Sequence, residues 1–138
     1  ENIYDGKLEP ILKAVKTMKE YDIWVEININ VIPQFHDNLY DIRKLISWIL
    51  DNLGADVPLH FMKYNEKTDE EIMKKARRIA MQAGMNYVYV HEIDWQEGET
   101  TFCPNCKKPV IIRNKKNVEN KLSNGRCVCG KEIPGIWE

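Results

Sequence analysis

The chain has 138 residues, 43% of them hydrophobic and 30% charged, which is enough for one ordinary domain and a small appendage. The formal net charge is only −1 and the two signs are interspersed, so a nucleic-acid partner is not expected. No apolar run approaches the roughly 20 residues of a membrane span and no signal peptide is apparent, so we expect a cytoplasmic protein without a membrane partner.

The first part of the chain predicts a helix followed by a strand. Apolar residues recur at helical spacing from Leu8 to Met18, and Tyr21–Asp22 ends this helix. Residues 23–32 then alternate between apolar and polar side chains, which is typical of a strand with one buried face.

Two more helix–strand units follow. Residues 37–38 cap a helix that Gly54 ends, and residues 59–63 form the next strand. A capping box at 68–71 opens the third helix, and residues 87–91 form the last strand. This alternation favours parallel strands joined by helices, in an open sheet that suits the C-terminal half of a larger α/β barrel.

Three polar residues, Glu26, Asn28 and Asn30, share one face of the first strand. Burying such groups without partners costs about 1–3 kcal/mol each, so this face must be solvated or occupied. In a barrel the face lines the lumen, where ligands bind near the C-terminal ends of the strands. In an edge strand or an antiparallel strand the same residues form a solvated face.

The three histidines each have two interpretations. His60 lies mid-strand beside the polar row, His91 ends the last strand, and His36 follows the first strand. Each is either a site residue, with His60 the favoured candidate, or a packing or surface histidine. The basic residues within 74–78 are interpreted as a solvated helix face.

All four cysteines lie in the last quarter of the chain, as Cys103-Pro-Asn-Cys106 and Cys127-Val-Cys129. Two close-set thiolate pairs predict a tetrahedral metal site, for which zinc is the usual occupant. Iron, two disulfides or a thiol redox pair are the alternatives, and disulfides suit a secreted chain. A polar segment near 95–101 marks the boundary, which divides the chain into 1–97 and a zinc ribbon at 98–138.

Several short motifs follow one another in a specific order along nearly the whole chain. They are Gly6-x-Leu8-Glu9-Pro10-x-Leu12, Trp24-Val25-Glu26-Ile27-x-x-x-Val31-Ile32-Pro33, Pro58-Leu59-His60-Phe61, Tyr87-Val88-Tyr89-Val90, Cys103-Pro-Asn-Cys106, Asn124-Gly125-Arg126-Cys127 and Ile133-Pro134-Gly135-Ile136-Trp137. In this order they resemble the C-terminal part of the radical SAM proteins related to pyruvate-formate-lyase-activating enzyme, specifically the AmmeMemoRadiSam type.

The resemblance implies both a fold and a chemistry. That family has a partial (β/α)6 barrel and cleaves S-adenosylmethionine reductively at a [4Fe–4S] cluster, which a C-x-x-x-C-x-x-C loop near the N-terminus holds. This chain has no such loop and begins with Glu1 rather than Met, so we expect a fragment that is inactive alone. The resemblance implies that one face of the sheet binds S-adenosylmethionine and a substrate of unknown class, which could be a protein. This face contains Asn28, Asn30 and His60, with Glu26 in the same row.

The chain departs from the family pattern at two places. Gln34 stands where the family usually has Gly, which predicts a differently shaped loop, and 127–129 forms a C-x-C pair where the family usually has C-x-x-C. The alternative function is a zinc-ribbon binding module on an α/β scaffold without catalysis. Basic residues do cluster within 107–116, but the segment 110–122 lacks the aromatic residues that stack on nucleic-acid bases.

Overall fold

The structure is a computed structural model that describes residues 7–137. Glu1, Gly6 and Glu138 lie outside the described residues. Helices alternate with strands over most of the chain, and the described residues form two three-stranded sheets, so the predicted α/β class is confirmed. No helix in the described part has the length and apolar character needed to cross a bilayer.

The first sheet contains three parallel strands, each preceded by a helix. The elements are α1 (Leu8–Glu20), β1 (Ile27–Val31), α2 (Leu39–Asn52), β2 (Leu59–Lys63), α3 (Glu70–Ala83) and β3 (Val88–His91). The strand order is β1-β2-β3, with Asn28 aligned with His60 and His60 aligned with Tyr89. The three predicted helix–strand units are therefore confirmed, and within residues 7–137 their sheet is open.

The first strand is shorter than the sequence predicts. Its ladder begins where Ile27 N donates to Pro58 O at 2.9 Å, and Ile27 is aligned with Leu59, the first residue of β2. Residues 23–26 therefore have no strand beside them among the described residues. Ile23 is consequently exposed rather than buried under a helix, so the prediction of a strand over 23–32 is wrong at its beginning.

Side-chain caps determine where α2 and α3 begin. Asn38 Oδ1 accepts from the backbone N two residues later at 2.9 Å, which makes it the cap of α2. Asp69 caps α3, because its Oδ1 accepts from Glu71 N at 2.8 Å. Thr68 instead donates its hydroxyl to Val31 O at 3.0 Å. The predicted capping box at 68–71 is therefore wrong, although the helix starts in the predicted region.

The loop after β1 contains Gln34, one of the two places where the sequence departs from the family pattern. Gln34 adopts a φ of 67°, in the left-handed region that favours glycine, and its N donates to Asp37 Oδ2 at 2.9 Å. This residue therefore takes a backbone conformation for which a glycine is suited. His36 is exposed in the same loop.

The main core lies between the parallel sheet and the helices α2 and α3. Its fully buried side chains include Ile46, Ile49, Leu59, Phe61, Met73 and Val90. The predicted alternation of β1 is confirmed, because Ile27 and Ile29 pack against this core while Asn28 and Asn30 are exposed. The helix α1 differs from the others, since none of its residues is buried.

The basic run on α3 contains a buried residue, Arg77, which is 5% exposed. Its Nε donates to Val88 O at 3.0 Å, and its Nη1 donates to Glu97 Oε1 at 2.9 Å. The guanidinium lies 5.2 Å from the centroid of the Trp95 ring. The interpretation of 74–78 as a solvated face is therefore wrong for Arg77, whose donors are satisfied by a carbonyl and a carboxylate.

The segment predicted to be a polar boundary forms a short helix and leads into the second sheet. The elements are α4 (Gln96–Glu99), β4 (Thr101–Phe102), β5 (Pro109–Arg113) and β6 (Val118–Asn120), and this sheet is antiparallel. Tyr87 and Tyr89 of the first sheet share an apolar cluster with Cys103, Val110 and Ile111. The ribbon therefore packs on the face of the parallel sheet opposite to α2 and α3. A division into domains between residues 97 and 98 stays a prediction.

Candidate functional site

The four cysteines converge in space, with all four Sγ atoms within 4.8 Å of one another. Cys103 Sγ lies 3.6 Å from Cys129 Sγ, and Cys106 Sγ lies 3.6 Å from Cys127 Sγ. Four sulfurs at about 2.3 Å from a tetrahedral zinc ion would lie about 3.8 Å apart, so the cluster has the dimensions of a metal site. All four are free thiols rather than disulfides, and together they can hold a metal ion.

Two backbone turns place these sulfurs. In the first turn, Lys107 N donates to Cys103 O at 2.9 Å, and Lys107 has a φ of 61°. In the second turn, Gly130 N donates to Cys127 O at 2.8 Å, and Gly130 has a φ of 88°. This glycine lets the chain turn back directly after Cys129, so the short C-x-C pair still delivers both sulfurs to the cluster.

Asn105 contacts the cluster from outside the ligand set. Its Nδ2 donates to Cys129 Sγ at 3.5 Å, although the two residues are 24 positions apart in the chain. This hydrogen bond, followed by one from the backbone of Lys131, lowers the pKa of the Cys129 thiol to about 6. Cys129 is therefore a thiolate at neutral pH, which is the form of cysteine that binds metals.

The polar row predicted from the sequence lies on the sheet face that the ribbon covers in part. Glu26 precedes β1, and its Oε2 lies 3.1 Å from His60 Nε2. Asn28 is aligned with His60 in the neighbouring strand, and Asn30 lies two residues further along β1. The structure thus brings Glu26 and His60 into contact and leaves both asparagines exposed. The predicted role of these residues in cofactor binding stays a prediction.

His60 and His91 form a pair that the sequence did not reveal. His60 Nδ1 lies 2.8 Å from His91 Nε2, and the two rings stack with centroids 5.1 Å apart. His91 Nδ1 lies 3.7 Å from Glu99 Oε1. Tyr87, Tyr89 and His91 alternate toward the face that carries His60, but this two-residue period shows the pairing only once the register of β2 and β3 is known.

A cavity of about 410 Å³ lies between this sheet face, the ribbon and the C-terminal segment. Its lining includes Trp24, Glu26, His60, Tyr89, Arg113 and Trp137. His60 Nε2 and the Tyr87 hydroxyl are buried there, and neither has a well-directed hydrogen-bond partner among the described residues. Asn28, Asn30 and His36 do not line this cavity.

Burial controls protonation on this face of the sheet. Burial lowers the pKa of His60 and the neighbouring His91 lowers it further, while the Glu26 carboxylate opposes the shift. Burial also raises the pKa of Tyr87 and of Tyr89, so both hydroxyls stay protonated at neutral pH. On this face the two tyrosine hydroxyls are therefore neutral at neutral pH, and burial disfavours the charged form of His60.

Comparisons with known proteins give one relevant similarity. No protein-family model matches the chain, and no solved structure matches it. The chain is similar to an uncharacterized protein of Methanocaldococcus jannaschii, with 35% identity over 145 aligned residues. The match covers 96% of this chain and 44% of the relative, so the chain spans less than half the length of the curated relative that it matches.

Proposed function

We propose that the chain is the C-terminal part of a radical SAM protein related to activating enzymes, consisting of half a partial (β/α)6 barrel and a zinc ribbon. The observation that carries the proposal is a parallel sheet with a polar face beside a cavity that a four-cysteine ribbon helps to close. Parallel strands are normally apolar on both faces, so a polar face beside a cavity indicates ligand binding. The order of the sequence motifs supports the same family.

Two exposed features support a larger barrel. β1 is an edge strand of the described sheet, and nothing within residues 7–137 pairs with its outer edge. The helix α1 buries none of its residues, although Leu8, Ile11 and Met18 are apolar and exposed. A further helix–strand unit would pair with β1 and cover this apolar surface. The relative, of which the matched segment is 44%, is long enough to contain such units.

The longer protein carries out the chemistry in this proposal. The ligands of its [4Fe–4S] cluster lie outside this chain, because all four cysteines of the chain converge on the ribbon site. Those four cysteines hold zinc. The sheet face around Glu26, Asn28, Asn30 and His60 meets S-adenosylmethionine and the substrate, and the chain alone is inactive.

Anaerobic reconstitution of the 138-residue chain and of the longer protein tests this proposal. Both are incubated with iron and sulfide, and then with a reductant and S-adenosylmethionine. We expect cluster absorbance and 5′-deoxyadenosine only from the longer protein, because only it supplies three thiolates to a cluster with an open iron. A longer protein that forms no cluster contradicts the proposal, and so does a 138-residue chain whose cluster disappears in Cys103→Ser.

The assignment of the sheet face has its own test in the longer protein. Asn30→Ala should weaken binding of S-adenosylmethionine roughly fivefold, since one net hydrogen bond contributes about 1 kcal/mol. Gln82→Ala, which changes an exposed side chain on α3, is the matched control and should leave affinity unchanged. Equal effects of the two substitutions would remove Asn30 from the binding face.

The zinc assignment is tested on the 138-residue chain. Elemental analysis of protein expressed without added metal should give about one zinc per chain, and iron instead would contradict the assignment. Chelation followed by hydrogen exchange should expose the amides of 102–137 while α2 and α3 stay protected, because the ribbon has few large apolar residues. Ribbon amides that stay protected would mean that packing on Tyr87 and Tyr89 holds the ribbon without metal.

A further inference from the structure

Four titratable side chains form a line across the face of the parallel sheet. Glu26 Oε2 lies 3.1 Å from His60 Nε2, and His60 Nδ1 lies 2.8 Å from His91 Nε2. At the far end, His91 Nδ1 lies 3.7 Å from Glu99 Oε1. Every ring nitrogen of the pair thus faces another member of the line. The two ends differ in their surroundings, because Glu26 lines the cavity and Glu99 does not.

The short contact between the two rings limits how many protons the pair can hold. One proton must lie between His60 Nδ1 and His91 Nε2, since two protons would repel and two lone pairs would also repel at 2.8 Å. Each outer nitrogen faces a carboxylate and therefore favours an N–H group. Three protons on four nitrogens place one proton between the rings and an N–H group opposite each carboxylate, which makes the pair a shared imidazole–imidazolium cation between Glu26 and Glu99.

With one proton fewer the pair is neutral, and one of its outer nitrogens has no proton to present to the carboxylate that it faces. We call this unfavourable contact the mismatch; it can lie at either end of the line. When both rings are neutral, one outer nitrogen presents a lone pair to a carboxylate. Moving the shared proton from one ring to the other moves this mismatch between the Glu26 end and the Glu99 end. Both arrangements keep the hydrogen bond between the rings and leave one lone pair opposite a carboxylate, so a proton can cross the pair without a net loss of contacts.

We propose that Glu26, His60, His91 and Glu99 form a proton relay that connects the cavity with the surface beside α4. The transfer starts from the neutral pair whose free lone pair faces Glu26. A proton that a cavity ligand releases from an O–H or N–H group is accepted by Glu26 and passes to that lone pair on His60 Nε2. The proton on His60 Nδ1 then moves to His91 Nε2, and the proton on His91 Nδ1 moves to Glu99. At each step one bond to hydrogen breaks and one forms. The net result is the transfer of one proton from the ligand to Glu99. The same steps in reverse order return the proton to the ligand.

The exposure of the four side chains suits this direction of transfer. The side chains of Glu26 and Glu99 are 47% and 32% exposed, whereas that of His60 is 16% exposed. The two ends can therefore exchange protons with a ligand or with solvent, and His60 is the most sheltered of the four, since the side chain of His91 is 26% exposed. The other titratable groups near the pair are Tyr89, which stacks on His60 at 5.0 Å between centroids, and Arg113, which lies 5.5 Å from the Tyr89 ring. The positive charge of Arg113 and the burial of His60 both oppose a fourth proton by lowering the pKa of His60.

The cavity restricts the class of ligand that the relay serves. A volume of about 410 Å³ admits a small molecule, and Trp24 and Trp137 provide two indole groups in its lining. Such aromatic groups favour a planar ligand. Trp24 Nε1 donates to Glu26 Oε1 at 3.0 Å and so orients the carboxylate that receives the proton. The Tyr87 hydroxyl is buried in this lining and has no hydrogen-bond partner among the described residues. The relay therefore fits a small, planar, polar molecule with an acidic O–H or N–H group.

A histidine titration by ¹⁵N NMR tests the relay in the metal-loaded 138-residue chain, with protons as the probe. We expect His60 and His91 to gain one proton together with a common midpoint, and a second proton only at a pH lower by about one unit or more. His36, which is exposed and outside the cavity, gives an internal reference in the same spectra. Two independent midpoints for His60 and His91 would overturn the relay, and this result needs no variant.

Variants test the Glu99 end of the line and the coupling of the two rings. Glu99→Gln removes a negative charge and should lower the common midpoint of both histidines by about one pH unit, although Glu99 contacts only His91. A shift confined to His91 would contradict coupling. In His91→Gln, His60 should titrate alone in one step, and the control His36→Gln should leave the pair unchanged. A second metal ion per chain that is lost in either His60→Gln or His91→Gln would overturn the relay in favour of a metal site.

Discussion

Replacing Arg77 with alanine should destabilise the fold much more than replacing its neighbour Arg78. Arg77 Nε donates to the carbonyl of buried Val88, and a hydrogen bond from a charged group contributes about 1.5–3 kcal/mol. Its ion pair with Glu97 adds less than about 1 kcal/mol, because the Glu97 side chain is 56% exposed. The contact with the Trp95 ring adds about 0.5–1 kcal/mol. We therefore expect Arg77→Ala to lower the free energy of unfolding by about 3 kcal/mol.

Thermal and urea denaturation, followed by tryptophan fluorescence, measure this loss. For a chain of this length 1 kcal/mol corresponds to about 3–5 °C, so Arg77→Ala should melt roughly 10 °C lower. Arg78→Ala is the matched control, since Arg78 is the same residue type on the same helix and is exposed. Its free energy of unfolding should stay within about 0.5 kcal/mol of the parent. Arg77→Met keeps much of the apolar stem and should lose about 2 kcal/mol.

Three outcomes would refute the reasoning. A loss below about 1 kcal/mol in Arg77→Ala would mean that water replaces the guanidinium at the Val88 carbonyl without cost. A loss in Glu97→Gln as large as that in Arg77→Ala would mean that the ion pair, rather than the bond to the carbonyl, is the main contribution. Similar losses for Arg77→Ala and Arg78→Ala would remove the distinction between a buried and an exposed arginine.

Two further predictions concern the ribbon. Asn105→Ala should lower zinc affinity by about 10–100-fold in competition with a chromophoric chelator, because the hydrogen bond to Cys129 Sγ is lost. The control Asn117→Ala should change the affinity little. Equal effects of the two substitutions would show that Asn105 does not act through that sulfur. Gly125→Ala should lower the free energy of unfolding by about 1–3 kcal/mol more than Gly84→Ala does. Both glycines have a positive φ, but only at Gly125 would the new methyl group overlap the Trp137 ring. Equal losses in the two variants would show that the ring moves freely.

Features that depend on local spacing were predictable from the sequence. The helix–strand order follows from apolar periods within single elements, and the convergence of the cysteines follows from two tight turns. The position of β1 could be predicted only in part, because alternation continues through residues 23–26 while the ladder begins at Ile27, opposite Leu59. The neighbouring strand decides where a strand starts, and the apolar period within one segment gives no information about that neighbour.

Features that join distant segments were not predictable in this way. Arg77 looks like the other basic residues of α3, and it is buried because a carbonyl of β3 and a carboxylate 20 residues away satisfy its donors. The contact between His60 and His91 spans 31 residues and depends on the parallel register of β2 and β3. Single histidines on separate strands give no indication of pairing until that register is known.

The metal site and the cavity are linked through the chain and through side chains. Thr101, two residues before Cys103, has its hydroxyl 2.8 Å from the Tyr89 hydroxyl on the parallel sheet. Arg113 Nη1 donates both to Thr101 Oγ1 at 2.9 Å and to Glu99 O at 3.1 Å. These bonds attach Tyr89 of the cavity lining, and Glu99 at the outer end of the histidine line, to β4 and β5, the strands on either side of the first cysteine pair. A metal held by Cys103 would therefore affect the cavity, because it would fix the turn between β4, which carries Thr101, and β5, which carries Arg113.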